Sequence, residues 1–277
     1  MTGRIAFVGG GNMAFALATR LAEHAHDVVV AEPLAQQRAR FRPPVSTTPD
    51  NTAAVQGAST VVLAVKPQVL ESVVAEIAPG IRDDQLVVSI AAGVPMAAIE
   101  RWLGTPRALV RCMPNTPAIV GAGISGLIAN GLVTPDQRAQ AETILRAAGE
   151  VVWFATDTDL DAVTALSGSG PAYFFAVIEA LAAAGTNIGL DPETAKRLVV
   201  ATAQGAAIMA TDDDPAELRA RVTSPGGTTE RALSILTERS FPESLDAAVR
   251  GAYERSRELA RELSGESGLA QALPPDE

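Results

Sequence analysis

Short β-branched runs alternate with alanine-rich stretches through the first half of the chain. Runs that are apolar nearly throughout fall at 4–8, 28–31, 60–64, 86–90, 108–111 and 151–154. Segments with helical spacing lie between them, at 12–25, 67–78, 95–103 and 135–148. Pro67, Pro95 and Pro135 open three of these helices, where the missing N–H costs nothing. Strands without a polar face, separated by amphipathic helices, predict a parallel sheet covered on both sides. The Gly- and Val-rich segment 118–129 predicts one further strand or hairpin.

After about Thr158 the strand signal stops. Helices are expected at 159–166, 171–184, 191–210, 215–221, 228–240 and 242–264, with Asp191 as an N-cap followed by Pro192 at the first helical position. Segment 171–184 carries Glu179 as its only charge. A helix apolar nearly all round needs cover on every side. A helical half of this size has little room for that, so a second subunit is expected to supply the cover. The apolar core of that segment, 172–184, is too short to span a bilayer. No secretory leader is expected, since the chain enters an apolar strand by Ile5. From Gly265 onward the chain is expected to fray.

Composition narrows the chemistry. The 277 residues carry a formal charge of −10, which argues against nucleic acid or an anionic membrane as partner. Lys66 and Lys196 are the only lysines, and the remaining cations are arginines. There are two histidines, His24 and His26, and one cysteine, Cys112. A Cys/His zinc site is therefore excluded, and no metal is expected. One cysteine cannot form an intrachain disulfide, so a cytoplasmic location is expected. Cys112 lies in the apolar run 108–113 and reads as a core thiol. Catalysis must then rest on hydroxyls, carboxylates, Lys66 or a cofactor.

A cofactor motif follows the first strand at once. Gly9-Gly10-Gly11-Asn12-Met13-Ala14 fits G-x-G-x-x-A in strand–turn–helix context. Gly9 serves the tight turn, Gly11 the approach of a pyrophosphate, and Ala14 the packing of helix on strand. The helix N-terminus offers unpaired N–H groups and a positive dipole end, which reconciles an acidic chain with a polyanionic ligand. Glu32 closes the second strand about 20 residues on, where a carboxylate bonds the ribose hydroxyls and repels a 2′-phosphate. That favours NADH, although Arg38, Arg40 and Arg42 just beyond offer partners for the 2′-phosphate of NADPH. Val65-Lys66-Pro67-Gln68, Ser89-Ile90-Ala91-Ala92-Gly93 and Arg111-Cys112-Met113-Pro114-Asn115-Thr116-Pro117 should all emerge at the carboxyl edge of the sheet, where ligands bind in such folds.

The helical half contains Val222-Thr223-Ser224-Pro225-Gly226-Gly227-Thr228-Thr229-Glu230-Arg231-Ala232-Leu233, a glycine turn feeding a helix. Such a turn presents backbone N–H groups and hydroxyls to a small carboxylate. Thr228 acting only as a helix cap would explain one hydroxyl, but not two glycines and four hydroxyls from Thr223 to Thr229. With the glycine motif, Asn51, Ala64-Val65-Lys66-Pro67, Ala91-Ala92-Gly93, Met113-Pro114-Asn115-Thr116-Pro117 and Ala165-Leu166-Ser167-Gly168-Ser169-Gly170-Pro171-Ala172-Tyr173, this block resembles pyrroline-5-carboxylate reductase over nearly the whole chain.

That resemblance implies an α/β Rossmann domain with a doubly wound, mainly parallel sheet at 1–157, and an all-α dimerisation and substrate domain at 158–277. It implies a homodimer, in several members built further into a decamer, with the site completed across the dimer interface. Carried over by position, Gly9, Gly11, Asn12 and Met13 would hold the pyrophosphate, Asn51 would reach the adenosine side, and Val65, Lys66 and Ala91 would line the nicotinamide ribose. Ser224, Gly227, Thr228 and Thr229 would bind the substrate, with the Thr229 hydroxyl on its ring nitrogen. Thr229 and Lys66 are the expected catalytic residues. Glu32-Pro33 departs from the Asn-Arg of many bacterial members, so NADP use does not transfer by position. The implied reaction is reduction of 1-pyrroline-5-carboxylate to L-proline by NADH or NADPH.

Rival readings make different demands. A 3-hydroxyacid dehydrogenase needs a lysine base early in its second domain, and 158–184 has neither lysine nor histidine. A reductase of other cyclic imines would differ in substrate alone. A non-catalytic dinucleotide sensor would leave the Ser224–Thr229 turn without a purpose.

Overall fold

The computed structural model describes residues 3–264, so the fraying expected from Gly265 lies outside the described residues. The strands are β1 (Arg4–Val8), β2 (Val28–Ala31), β3 (Ser46–Thr48), β4 (Ala58–Leu63), β5 (Leu86–Ser89), β6 (Ala108–Met113), β7 (Gly123–Ala129) and β8 (Gly149–Trp153). The sheet helices are α1 (Asn12–Glu23), α2 (Ala35–Arg38), α3 (Asn51–Val55), α4 (Pro67–Ile77), α5 (Met96–Leu103) and α6 (Pro135–Arg146). Then follow α7 (Asp157–Val163), a π-helical turn Thr164–Gly168, α8 (Gly170–Asn187), α9 (Pro192–Met209), α10 (Pro215–Arg221), α11 (Thr228–Glu238) and α12 (Phe241–Ser264).

The strands form one sheet in the order β3-β2-β1-β4-β5-β6-β7-β8. Every neighbouring pair is parallel except β6 with β7. The chain thus winds outward from β1 in both directions, and the strand order reverses between β1 and β4. In a sheet of this kind ligands bind at that reversal, beyond the carboxyl ends. One face buries Phe7, Val30, Val62 and Val110 under Leu17 and Leu21 of α1 and Ile144 and Leu145 of α6. The other buries Val61, Leu63, Val87 and Leu109 under Leu70, Val74 and Ile77 of α4 and Ile99 and Leu103 of α5. Alternate residues of each strand serve opposite faces, which is why these runs carry no polar side.

The chain divides into two compact units. Among the described residues, one runs to Ser169 and is rejoined by residues 252–264; the other is Gly170–Gly251. A boundary at 157/158 falls where α7 begins, but α7 and the end of α12 stay with the sheet. Arg111, buried in β6, pairs with the Asp157 carboxylate, which also accepts the Met96 N–H that opens α5. The Ser256 hydroxyl of α12 donates to Asp161 of α7 at 2.8 Å, both side chains buried. Leu259 and Leu263 then lie against Gly93.

In the second unit, α8 and α9 pack on each other with Gly185 facing Ala195. Asp191 caps α9 through the Thr194 N–H. Phe174 is 72% exposed and Phe175 63%. Helix continues on both sides of 172–184, and the 31-residue run Asp157–Asn187 meets the length and composition of a membrane span where the shorter stretch does not.

Removing the Ser256 hydroxyl strands a buried carboxylate. Ser256→Ala is expected to lower unfolding stability by about 1–3 kcal/mol in urea titration; an unchanged midpoint would show that the pair contributes nothing.

Candidate active site

At the carboxyl end of β1 the chain turns on Gly9, whose φ is +106°. A Cβ there would sit 2.7 Å from the Ala64 carbonyl oxygen and 2.9 Å from Val65 Cγ1. Only glycine lets the loop cross so close to the end of β4. Gly11 is different. A Cβ on it would meet nothing within 4 Å, so no protein neighbour requires glycine there, and the open space fits a pyrophosphate against the backbone. Gly11 is the N-cap of α1 and no side chain caps that end. The first internal bond is Phe15 N–H to Gly11 O, so the amides of Asn12, Met13 and Ala14 are free to point at an anion. These residues fit a nicotinamide dinucleotide.

Glu32 lies half-buried just past β2 and grips the glycine loop. Its Oε2 accepts the Gly10 N–H at 3.0 Å, and its Oε1 accepts the Leu34 N–H at 2.9 Å. The motif spacing alone did not reveal this bond to Gly10. Each carboxylate oxygen keeps lone-pair capacity for ribose hydroxyls. Arg38 turns its guanidinium onto the carbonyls of Glu32 and Pro33, at 2.7 and 2.8 Å. Arg42 bonds the Ala39 carbonyl. Arg40 donates to Asn12 Oδ1 at 3.0 Å and lies over the Phe15 ring, so it orients the Asn12 amide beside the glycine loop.

Backbone bonds align the three strand ends: Ala64 N–H reaches Val8 O, and Ile90 N–H reaches Leu63 O. Val65, the exposed Lys66 at the N-cap of α4, and the buried Ala91 therefore leave the same edge as Gly9. Asn51 opens α3, and its amide donates to Glu76 Oε2 at 3.0 Å. The loop after β6 is held by Asn115, whose Oδ1 accepts Ile124 N–H at 3.0 Å while Nδ2 faces the Ser167 carbonyl and hydroxyl at 3.3 Å. A Cβ on Gly168 would lie 2.4 Å from Met113 Cε. Both stretches stand out in the sequence; their link is tertiary.

Cys112 is buried beside Arg111. Burial pushes its thiol far up, and the neighbouring guanidinium offsets this only in part. It is a core thiol. His24 is exposed and its ring bonds Arg20 O at the end of α1, at the far edge of the sheet from Gly9. An apolar cavity of about 280 Å³ lies beside β7 and β8, lined by Ile124, Val152, Phe154, Val163 and Leu166, and none of the cofactor candidates lines it.

The substrate candidates stand together in the second unit. Gly226 has φ +70° and Gly227 donates its N–H to Ser224 O at 3.0 Å, closing a tight turn. A Cβ on Gly227 would lie 2.5 Å from Ser224 Oγ, which places that hydroxyl against the turn. Gly227 is the N-cap of α11, with no side-chain cap, so Thr228 is not a capping residue. Thr228 and Thr229 occupy the first two helical positions with amides that have no intrahelical partner.

A doubly wound sheet with an uncapped glycine loop at its strand reversal defines a nicotinamide-dinucleotide oxidoreductase. Residues 157–259 match the family model described as pyrroline-5-carboxylate reductase dimerisation, and residues 4–93 match the model described as coenzyme F420-dependent NADP oxidoreductase. Pyrroline-5-carboxylate reductase of Pseudomonas aeruginosa is 47% identical over 95% of this chain and 98% of its own. The Synechocystis enzyme of that name is 42% identical over 94% of this chain and 100% of its own. A solved pyrroline-5-carboxylate reductase from Coxiella burnetii superposes with TM-score 0.88 at 40% identity, covering 94% of this chain and 99% of that one. The Plasmodium falciparum pyrroline carboxylate reductase structure, with NADP bound, gives 0.84 at 30% identity, covering 93% and 98%. The chain belongs to the pyrroline-5-carboxylate reductase family. Its matched dimerisation region includes α8, the helix that carries the exposed Phe174 and Phe175.

Native protein is expected to resist alkylation by iodoacetamide at Cys112 at pH 8 and to react fully in guanidinium chloride; rapid native labelling would contradict the buried, protonated thiol.

Proposed function

We propose that this chain catalyses NAD(P)H-dependent reduction of 1-pyrroline-5-carboxylate to L-proline, consuming one proton per turnover, with NADH preferred. The observation that carries the reading is the pairing, in one chain, of an uncapped G-x-G-x-x-A loop with the uncapped Ser224–Thr229 turn. The bound nicotinamide supplies the hydride, and the substrate's own protonated C=N supplies the electrophile. The residues have positioning as their main task, which can contribute ~7–11 kcal/mol.

In this reading Gly9, Gly11, Asn12 and Met13 seat the pyrophosphate, Glu32 and Asn51 serve the adenosine side, and Val65, Lys66 and Ala91 line the nicotinamide ribose. The Gly227 amide is spent on Ser224 O, so the substrate carboxylate falls on the Thr228 and Thr229 amides beside the Ser224 hydroxyl. The Thr229 hydroxyl bonds the ring nitrogen and steadies its proton. The preference for NADH is supported by Glu32, held on Gly10 and Leu34, and by Arg38 and Arg42, both engaged on backbone carbonyls. Residues 1–157 act as the cofactor domain and 158–277 as the dimerisation and substrate domain of a cytoplasmic homodimer. Assembly to a decamer, as in several family members, is the further expectation.

The reaction is tested by following NADH and NADPH oxidation at 340 nm with racemic pyrroline-5-carboxylate. Oxidation of both, faster with NADH, is expected; oxidation of neither would refute the assignment. Glu32→Ser should shift the NADH/NADPH ratio of kcat/KM toward NADPH by about tenfold or more, and an unmoved ratio would remove Glu32 from cofactor choice. Thr229→Ala should lower kcat about 10²-fold with NADH affinity kept; unchanged kcat would exclude the hydroxyl from the reaction.

A further inference from the structure

We infer that Glu230 is a positioning residue for the substrate carboxylate, its side chain tying the glycine turn to the first turn of α11 so that the donors left for the carboxylate are the Thr228, Thr229 and Glu230 amides at the head of that helix. The inference rests on the reading of that turn as the substrate site, and it assigns a role to a residue that the motif left idle. Glu230 Oε2 accepts the Gly226 N–H at 2.8 Å. Gly227 N–H is already bonded to Ser224 O at 3.0 Å. Both glycine amides are therefore satisfied within the turn. The helix starts at Thr228 without a side-chain cap, and its first internal bond is Arg231 N–H to Gly227 O at 3.2 Å. The amides that remain for a ligand are those at the head of α11.

Position makes Glu230 suited to this. It is the third residue of the helix, from which a carboxylate reaches back to an amide before the first turn. Its charge is favoured near the positive end of the helix. Gly226, in the left-handed region at φ +70°, is adjacent to a second glycine, and such a pair has wide backbone freedom unless something holds it. Glu230 supplies that restraint. Its bond also keeps the Gly226 amide from competing for the substrate carboxylate. The donors left are the amides of the first helical turn alone, and with them one orientation of the ring relative to the Thr229 hydroxyl.

The test compares Glu230→Ala and Glu230→Gln in the full-length enzyme. Gln keeps a carbonyl acceptor for Gly226 N–H; Ala does not. For Glu230→Ala, KM for pyrroline-5-carboxylate and the inhibition constant of L-proline should rise together by roughly tenfold. KM for NADH should stay within about twofold, as should kcat at saturating substrate, since Glu230 touches neither cofactor nor ring nitrogen. Glu230→Gln should recover most of the loss. An unchanged substrate KM in Glu230→Ala would overturn the role, and so would a Gln variant as weak as Ala. A variant that merely misfolds would instead lose kcat at constant KM, which also counts against positioning. Failure of the wild-type enzyme to turn over the imine would refute the assigned reaction, a result separate from any difference between the variants.

Discussion

The close crossing of Gly9 over the Ala64 carbonyl governs the arrangement of everything at the carboxyl edge of the sheet. With 2.7 Å between that oxygen and the place a Cβ would take, any side chain would lift the loop off β4. The crossing sets the start of α1 directly over the strand reversal, with its amides uncapped. It also brings the loop within reach of Glu32, whose carboxylate fixes the Gly10 amide. An acidic protein can then hold a polyanion without a basic groove, because the attraction comes from oriented backbone dipoles.

The second half follows the same economy. The turn at Ser224–Thr229 presents backbone amides and hydroxyls, and again glycine makes the geometry possible. A substrate that carries its own electrophile asks for little acid–base equipment. Two histidines and one cysteine, one of them a buried core thiol and one capping the far end of α1, are thus no shortage. The apolar α8 answers to a different demand. Its phenylalanines are exposed in the single chain, and the dimerisation region of the family spans them.

Much of this was legible in the residues. Strands buried on both faces announce themselves as unbroken apolar runs, and the glycine loop and the Ser224–Thr229 block are local patterns. β3 was not visible, because Ser46–Thr48 is a three-residue polar edge strand whose place is set by pairing with β2. Segment 118–129 resolved into a 3₁₀ turn at Thr116–Val120 and then β7, a distinction that depends on the antiparallel register with β6. The return of α12 to the sheet unit rests on Ser256 meeting Asp161 across 95 positions, which no window along the chain contains. The site residues divide likewise: types and spacing mark Gly11 and Thr229, while the grip of Glu32 on Gly10, Asn115 on Ser167 and Glu230 on Gly226 depends on where side chains settle. Arginines 38, 40 and 42 looked alike as a charge cluster, yet only Arg40 turns toward the glycine loop.

The central claim is that this fold delivers a hydride from a reduced nicotinamide to the imine carbon of a cyclic amino acid. Deuterium transfer measures that directly. The enzyme is run with NADH deuterated at C4 of the nicotinamide on the transferred face, and the proline formed is examined by mass spectrometry and proton NMR. One deuterium per molecule at C5 is the result the structure predicts. Proline without deuterium at C5, or no proline at all, would contradict it.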